Sequence, residues 1–180
     1  HLKIKVDGYI CKTDMILNVL IKASAENSSL EAACGDLEET ADSNTIREYL
    51  NEALPIKELR EQEKQVNKVL ACGTPADLVR TDIEVALDFH DEPFYGKQAG
   101  TRQVTCAGQA KKGTTHFVRI ATAYIIWRQV RLTLAVRYVL PEDETLEILK
   151  FLLQRLKKLG FKAKVLYMDK GFASTSIIQY

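Results

Sequence analysis

The chain has 180 residues, of which 46% are hydrophobic and 27% are charged, a composition typical of a globular protein and not of a disordered one. No stretch approaches about eighteen consecutive apolar residues, which argues against a membrane-spanning helix. The net charge of +1 conceals an asymmetry: residues 1–90 hold 10 Lys and Arg against 17 Asp and Glu, whereas residues 91–180 hold 15 against 7. The basic second half favours a polyanionic partner, although, taken alone, a solvated surface with lysine-rich helix ends explains it better.

Residues 13–70 are predicted to be helical, because apolar residues recur there at helical spacing and Pro55 ends or kinks a helix before a charged one follows. The candidate N-caps are Thr13, Ser28 or Ser29, and Asp42 or Ser43. The four cysteines, at positions 11, 34, 72 and 106, lack zinc-knuckle spacing and are interpreted as reduced thiols of a cytosolic protein.

The stretch SLEAACGDLEETADSNTIREYL, residues 29–50, has the short amphipathic helices and the small crossing residue, Ala33, of a helix-turn-helix. Arg47 would be its DNA contact, whereas Glu48 and Glu52 on the same helix would repel phosphates. A small helical bundle is the alternative interpretation. The stretch ACGTPAD, residues 71–77, is a plausible linker, so we expect a helical region over residues 1–72 and a second domain over residues 73–180.

The second half has the pattern of a sheet protein, with predicted strands over residues 83–89, 114–127 and 130–140. Arg128 and Gln129 are the predicted hairpin turn between the last two strands. The alternation in the last strand separates Arg131, Thr133 and Arg137 from side chains expected on its buried face, namely Val130, Leu132, Leu134, Val136 and Tyr138.

A helix is predicted from Pro141 to Gly160, with acids in its first turn and lysines in its last. The stretch KAKVLYMD then predicts a strand that ends at Asp169. The order of strand, hairpin, helix and strand predicts an α/β fold, with a mixed sheet covered by helices. The helix is long enough to return the chain for a parallel strand.

Asp88 and Asp169 both follow an apolar strand and precede a turn. If the two strands are neighbours, the carboxylates converge at one edge of the sheet, where oxygen ligands would suit Mg²⁺. A pair of metal ions could then activate water and stabilise the leaving oxygen of a phosphodiester. The alternative is that each Asp caps a turn or a helix start.

The stretches ALDFHDEPFYG and LYMDKGFAS, with the elements between them, resemble the catalytic domain of DDE transposases of prokaryotic insertion sequences. In that family the first Asp ends the first strand, and the second Asp ends the fourth strand in an Asp-Arg/Lys-Gly-Phe/Tyr motif. Asp88 and Asp169 match these positions, and the resemblance covers about residues 80–180. It implies a ribonuclease-H-like mixed sheet, incomplete in this chain, preceded by a small all-α region.

The resemblance also implies a DNA transposase that hydrolyses phosphodiester bonds at transposon ends and transfers the strand to target DNA. Asp88 and Asp169 would be catalytic residues and ligands of two Mg²⁺ or Mn²⁺ ions. The family's third acid, a Glu on a helix beyond the second Asp, has no counterpart up to Tyr180. We therefore expect a fragment truncated before that residue, and its activity on its own stays open.

The implied partners are double-stranded DNA, both transposon ends and target, and a second copy of the chain in a homodimer, with no membrane. The implied location is the nucleoid of a prokaryotic cytoplasm. The residues expected to contact DNA are Lys97, Arg102, Lys111, Lys112, Lys170 and Arg47. The first four lie in a predicted loop, residues 97–113, that would suit a mobile arm on the DNA backbone or would simply be solvated. His90, Asp91 and Glu92 are predicted to be exposed loop residues and not ligands.

Two other functions fit the same residues. One is a different ribonuclease-H-like nuclease, such as a resolvase, which would need no end-recognition domain. The other is a catalytically inactive DNA-binding remnant of a transposase. End-specific DNA binding by residues 1–72 would exclude the first, and metal-dependent nicking would exclude the second.

Overall fold

A computed structural model describes residues 4–79, 82–96, 103–111 and 113–180. The chain divides into two compact units, Leu2–Gln62 and Glu63–Tyr180. By sequence the first unit carries 7 Lys and Arg against 12 Asp and Glu, whereas the second, counted with the first residue, carries 18 against 12. The charge asymmetry of the sequence therefore follows the division of the structure.

The first unit is helical and contains α1 (Thr13–Ala25), α2 (Leu30–Asp36), α3 (Ser43–Ala53), a 3-10 turn (Ile56–Glu58) and the start of α4 (Leu59–Cys72). Two predicted N-caps are confirmed, since the side chains of Ser29 and Asp42 accept bonds from the first backbone N–H groups of α2 and α3. Thr13 is not a cap. Its hydroxyl donates to the carbonyl oxygen of Val6 at 3.0 Å and so joins α1 to the preceding segment.

The core of the helical unit is made of small and branched apolar side chains from α1, α2, α3 and the segment before them. Its fully buried members are Cys11, Ile16, Val19, Ala33 and Ile46. All four cysteines of the chain are free thiols. The structure neither confirms nor excludes a DNA-reading role for α2 and α3, so the helix-turn-helix stays a prediction.

The second unit is built on five strands and includes α4 from Glu63 onward. In chain order its elements are a 3-10 turn (Ala76–Leu78), β1 (Asp82–Pro93), β2 (Cys106–Lys111), β3 (Thr114–Trp127), β4 (Val130–Val139), α5 (Thr145–Lys158), β5 (Lys162–Met168), a 3-10 turn (Lys170–Phe172) and α6 (Thr175–Ile178). The strand β1 lies between β3, to which it is antiparallel, and β5, to which it is parallel. On its other side β3 pairs with β4 and β2. The predicted α/β class, a mixed sheet with helices, is confirmed.

The predicted hairpin is confirmed, and its turn has the expected residues. Arg128 and Gln129 both have positive φ, at 48° and 66°, as the tight turn between twisted antiparallel strands requires. The helix after it begins later than predicted, at Thr145 and not at Pro141, because the Asp143 carboxylate accepts a bond from the backbone N–H of Leu140 and closes a turn first.

A bulge changes which face of β4 each side chain occupies. The pairing with β3 shifts between Ala123 and Tyr124, so that two residues of β3 oppose three of β4. Val136 therefore shares a face with Arg131 and Thr133, and not with Leu132 as the simple alternation predicts. The sequence pattern could not show this, because the position of a bulge is defined by the pairing with the partner strand, which the sequence of β4 does not reveal.

The two faces of the sheet are different environments. The covered face is formed by Ile83, Val85 and Leu87 of β1 with Ala121, Ala123 and Ile125 of β3, and all six are buried. Four buried residues of α5 complete this core, namely Ile148, Leu149, Leu152 and Leu156. The open face is formed by Glu84, Ala86, Asp88, Thr122 and Tyr124, which are half-buried or exposed.

The outer edge of β4 is closed by side chains of α4. The Asn67 amide donates to the carbonyl oxygen of Val136 at 2.8 Å and accepts from its N–H at 3.1 Å. The Glu63 carboxylate accepts from the backbone N–H of Tyr138 at 2.8 Å and from Arg137 at 3.0 Å. Both α4 residues are almost fully buried, and together they satisfy backbone groups that would otherwise offer this strand edge to another chain. In the described part of the chain, no helix has the length and apolar character needed to cross a membrane.

Candidate functional site

Asp88 lies inside a strand and not at its end, which corrects the prediction. The strand β1 continues to Pro93 because β3 is long enough to pair with it that far, from Ala86 opposite Tyr124 to Pro93 opposite Phe117. The partner on the other side, β5, stops earlier. Its last paired residue is Met168, opposite Leu87. Asp88 therefore stands where β1 loses its parallel neighbour.

Asp169 is the next residue of the departing strand and is fixed by its own backbone. Its N–H donates to the carbonyl oxygen of Leu87 at 3.0 Å, which keeps it against β1 beside Asp88. Its carboxylate caps the following 3-10 turn and accepts from the N–H groups of Lys170 at 2.6 Å and Gly171 at 3.5 Å. The two residues therefore follow directly after the last pair of two neighbouring parallel strands.

Gly171 and Phe172, in the turn after Asp169, pack against Phe89 of β1. The Phe172 ring is fully buried and stacks on Phe89 with 4.2 Å between centroids. A Cβ atom at Gly171 would stand 2.7 Å from the Phe89 ring. Any residue larger than glycine would therefore require the ring or the backbone to shift. The Gly-Phe pair after the second acid therefore has a structural reason, since it holds the turn that orients Asp169.

Asp88 and Asp169 line one shallow cavity of about 290 Å³ on the open face. Its floor is Ala86, which pairs with Tyr124 of β3 on one side and with Tyr167 of β5 on the other. The small side chain between two tyrosines leaves a depression directly next to the two acids. The remaining lining residues are Leu87 and Met168.

Arg131 of β4 is the cation nearest to Asp88 among the described ion pairs. Its guanidinium Nη2 lies 4.0 Å from the Asp88 carboxylate, and both side chains are close to half exposed. The same Nη2 donates to the Thr122 hydroxyl at 3.3 Å. Thr122 lies opposite Asp88 in the sheet, and its hydroxyl reaches the Asp88 carbonyl oxygen at 3.5 Å. Sequence reasoning missed Arg131, because its reach to Thr122 and Asp88 depends on the pairing of β4 with β3 and of β3 with β1.

The donor set at this edge fits a hard divalent cation. Two carboxylates supply oxygen ligands of the kind that Mg²⁺ takes alongside water and phosphate oxygens. The part of the chain that the structure describes contains no group of three or more His, Cys, Asp or Glu side chains placed to hold a metal ion. Asp88 and Asp169 would therefore be two ligands of a site that needs further oxygens.

The predicted DNA-contact residues are spread over the chain. Arg47 lies exposed on α3 and donates to Ser43 and Asn44 of its own helix. Lys111 is exposed at the end of β2, so the predicted loop 97–113 contains a strand. Lys170 is exposed in the turn next to Asp169. Three others, Lys97, Arg102 and Lys112, lie outside the described residues.

The predicted exposed loop after Asp88 is wrong as a loop, because its residues continue β1. His90 and Glu92 are exposed, and the His90 Nε2 atom lies 3.2 Å from the Glu92 Oε2 atom. Asp91 points to the covered side and forms a two-bond ion pair with Arg119, which stands directly opposite it in β3. The two distances are 2.6 and 2.8 Å, and these bonds hold the pKa of Asp91 below its ordinary value and raise that of Arg119.

A larger cavity, of about 510 Å³, lies on this other side and also touches Asp169 and Gly171. Asp91, Arg119 and the buried Cys106 line it, together with the start of α5. Burial raises the pKa of the Cys106 thiol, which donates to the carbonyl oxygen of Val139 at 3.4 Å. Asp91 and Arg119 are paired with each other and the Cys106 thiol with a backbone carbonyl, so the geometry favours the open-face cavity as the candidate site.

Comparison of the chain with protein-family models, with curated proteins and with solved structures found no match. The functional interpretation therefore depends on the residues and their geometry.

Proposed function

We propose that this chain is part of a DNA transposase of the DDE type, with a ribonuclease-H-like catalytic domain over the sheet unit. The observation that carries the proposal is the meeting of Asp88 and Asp169 where β5 leaves β1, over one cavity on the open face. Two acids from distant parts of the sequence share this edge because the parallel crossover through α5 returns the chain beside its first strand.

The strand order supports the proposal. Without β2, the order of strands across the sheet is β4, β3, β1 and β5. The pairs β4–β3 and β3–β1 are antiparallel, and β5 is parallel to β1. This order is compatible with the ribonuclease-H-like mixed sheet that the resemblance implies, with β2 as an added strand. The turn Asp169–Phe172 also has the residues of the family's second motif, and the contact between Gly171 and Phe89 gives that motif a packing reason.

In this proposal Asp88 and Asp169 hold Mg²⁺ or Mn²⁺, and the ion, when bound, supplies the Lewis acidity for phosphodiester hydrolysis. Asp88 and Asp169 would hold the ion over the Ala86 depression, so that a phosphate attracted to the ion would lie at the open face. The backbone N–H groups of Lys170 and Gly171 hold the Asp169 carboxylate in one orientation, which removes part of the entropy cost of ligation. Residues 170–180 contain no acid, so a third carboxylate of the family type is not supplied by this stretch.

The test is Mn²⁺ binding to the full chain, measured by the electron paramagnetic resonance signal of the free ion. Asp88→Asn and Asp169→Asn should each weaken binding at least about tenfold, because each removes a charged ligand from a site with few others. Glu92→Gln is the matched control, since it removes the same charge from an exposed position of the same strand. Equal affinities in all four proteins would refute the metal site.

A second candidate is a ribonuclease-H-like nuclease without DNA end recognition. The observation that favours it is the acidic character of the helical unit, 7 Lys and Arg against 12 Asp and Glu, which weakens binding to phosphates. Footprinting of the full chain on transposon-end and random duplexes separates the two candidates. Protection of the ends that is lost in Arg47→Gln would favour the transposase, and equal protection of all sequences the nuclease.

A further inference from the structure

The side chain of Arg131 lies along the open face of the sheet and is held at three points. Its guanidinium carbon stands 3.7 Å from the centroid of the Tyr124 ring, a close stacking distance. One of its nitrogens donates to Thr122 at 3.3 Å, and the same nitrogen lies 4.0 Å from the Asp88 carboxylate. A long arginine side chain that is about half exposed is thus directed toward one place, the cavity edge beside Asp88.

The contacts of Arg131 with Tyr124 and Thr122 orient the guanidinium but leave most of its N–H groups without an acceptor among the described contacts. Stacking on Tyr124 engages the flat face of the group, whereas anions are bound by the N–H groups in its plane. Of the five N–H donors of an arginine, the described contacts use a single nitrogen. The others remain available to an acceptor that enters the cavity.

The ion pair between Arg131 and Asp88 is weak, so either group can readily take another partner. At 4.0 Å the two groups are too far apart for a direct hydrogen bond, and with exposures of 49% and 41% water screens their attraction. Asp91 shows the contrast three residues away, since Arg119 binds it by two bonds of 2.6 and 2.8 Å with about a third of each side chain exposed. Arg119 is hydrogen-bonded to its carboxylate, whereas Arg131 makes no direct hydrogen bond to Asp88.

We propose that Arg131 is a phosphate-binding residue of the open-face site, and that it acts as the counter-ion of Asp88 when neither metal nor DNA is present. This assignment rests on the proposed function, because the phosphate is that of the DNA held at Asp88 and Asp169. A cation at Asp88 releases the guanidinium from its partner, and the guanidinium then binds a phosphate oxygen. Arg131 therefore weakens the binding of a metal ion at Asp88 and strengthens the binding of DNA.

The opposite signs give a test that uses the full chain and two separate probes. Arg131→Gln should bind Mn²⁺ alone about twofold to fivefold more tightly, because a cation that competes for Asp88 is gone. The same variant should bind a duplex oligonucleotide, in the absence of divalent metal, about fivefold or more weakly. Its plot of log affinity against log salt concentration should flatten by about 0.9, the slope of one phosphate contact.

Arg128→Gln is the matched control for loss of one positive charge. Arg128 belongs to the same hairpin, is 77% exposed, and pairs with Asp77 and not with Asp88. We expect no change in its Mn²⁺ affinity and a smaller loss of DNA affinity. Arg131→Lys keeps the charge but loses the planar fork, so it should recover only part of the DNA affinity.

Two results would overturn different claims. If Arg131→Gln and Arg128→Gln change both affinities equally, Arg131 is an ordinary surface cation and the assignment fails, while the metal site stands. If the wild-type chain has no Mn²⁺ site that depends on Asp88, the proposed function fails and the assignment falls with it. Tyr124→Ala removes the stacking surface under the Arg131 guanidinium and should lose part of the DNA affinity.

Discussion

The covered and open faces of the sheet treat neighbouring residues of one strand in opposite ways. Leu87 is buried in the core under α5, and Asp88, the next residue, stands on the open face beside Asp169. Three residues later Asp91 is on the covered side again, and there it is locked to Arg119. A carboxylate near the core is stabilised by a committed partner, whereas one on the open face keeps a loose partner and remains available to a ligand.

The difference separates structural acids from candidate functional ones. Asp88 and Asp91 are the same residue type in the same strand, and composition does not distinguish them. Their environments do, because the fold gives Asp91 a partner directly opposite it in β3, and gives Asp88 the neutral Thr122 there. The comparison predicts that mutations on the covered face affect folding and that those on the open face affect binding.

The largest expected effect is on stability, from Leu87→Ala. Leu87 is 2% exposed, and removing three carbon atoms from a packed core costs about 2–5 kcal/mol of unfolding free energy. Urea denaturation of the full chain measures the loss from the sheet unit. Ile126→Ala is the control, because Ile126 is 67% exposed and its truncation should change stability by less than about 0.5 kcal/mol. Similar losses in both variants would show that the open face is covered in solution.

An intermediate effect is expected for Asp91→Asn, which leaves Arg119 without its charged partner. The loss should be about 1–3 kcal/mol at neutral pH, as for a hydrogen-bonded charge pair that is mostly buried. Because the pKa of Asp91 is lowered in the folded state, its contribution is present above the unfolded-state value of about 4 and disappears as the pH falls through the folded-state value.

Thermal unfolding between neutral and strongly acidic pH checks that sign. The difference in melting temperature between wild type and Asp91→Asn should be large at neutral pH and should shrink below about pH 4. Glu92→Gln, at the exposed neighbouring position, should follow the wild-type curve. A difference that stays constant down to low pH would mean that Asp91 acts by packing and not by its charge.

The smallest expected effect on stability is that of Asp88→Asn. Its carboxylate has only the distant, solvent-screened partner Arg131, so unfolding free energy should change by less than about 0.5 kcal/mol. A large loss in urea denaturation would show that Asp88 is a structural acid like Asp91. A small loss, together with weaker Mn²⁺ binding, would place the two acids in separate classes.

Local sequence signals predicted several features well. The Arg128-Gln129 turn, the caps Ser29 and Asp42, and the strand before Asp169 depend on short-range chemistry that is visible along the chain. The length of β1 was missed because a strand end is set by its partners. The sequence from His90 to Pro93 is polar and has the composition of a turn, yet β3 extends far enough to pair with it.

The candidate site was only half visible in the sequence. Asp88 and Asp169 could be named because each follows an apolar run, and the order of elements predicts neighbouring parallel strands. Arg131 and the Tyr124–Ala86–Tyr167 row could not be named, since they are brought together by register across four strands. The buried Glu63 and Asn67 of α4 were missed for the same reason, because their partners are backbone groups about 70 positions away.

By itself, the sequence determined most of the elements, their order and the two acids that end up side by side, because periodicity, caps and turn residues act over a few positions. The strand β2 was the exception, since its residues were assigned to a loop. The tertiary structure alone decided the face on which each charge lies. It committed Asp91 to Arg119, left Asp88 with a loosely held Arg131, and placed Asp169 between two cavities. The physical reason is that side chains in a strand alternate between faces, so partner strands and their register determine whether a carboxylate is paired or free to bind.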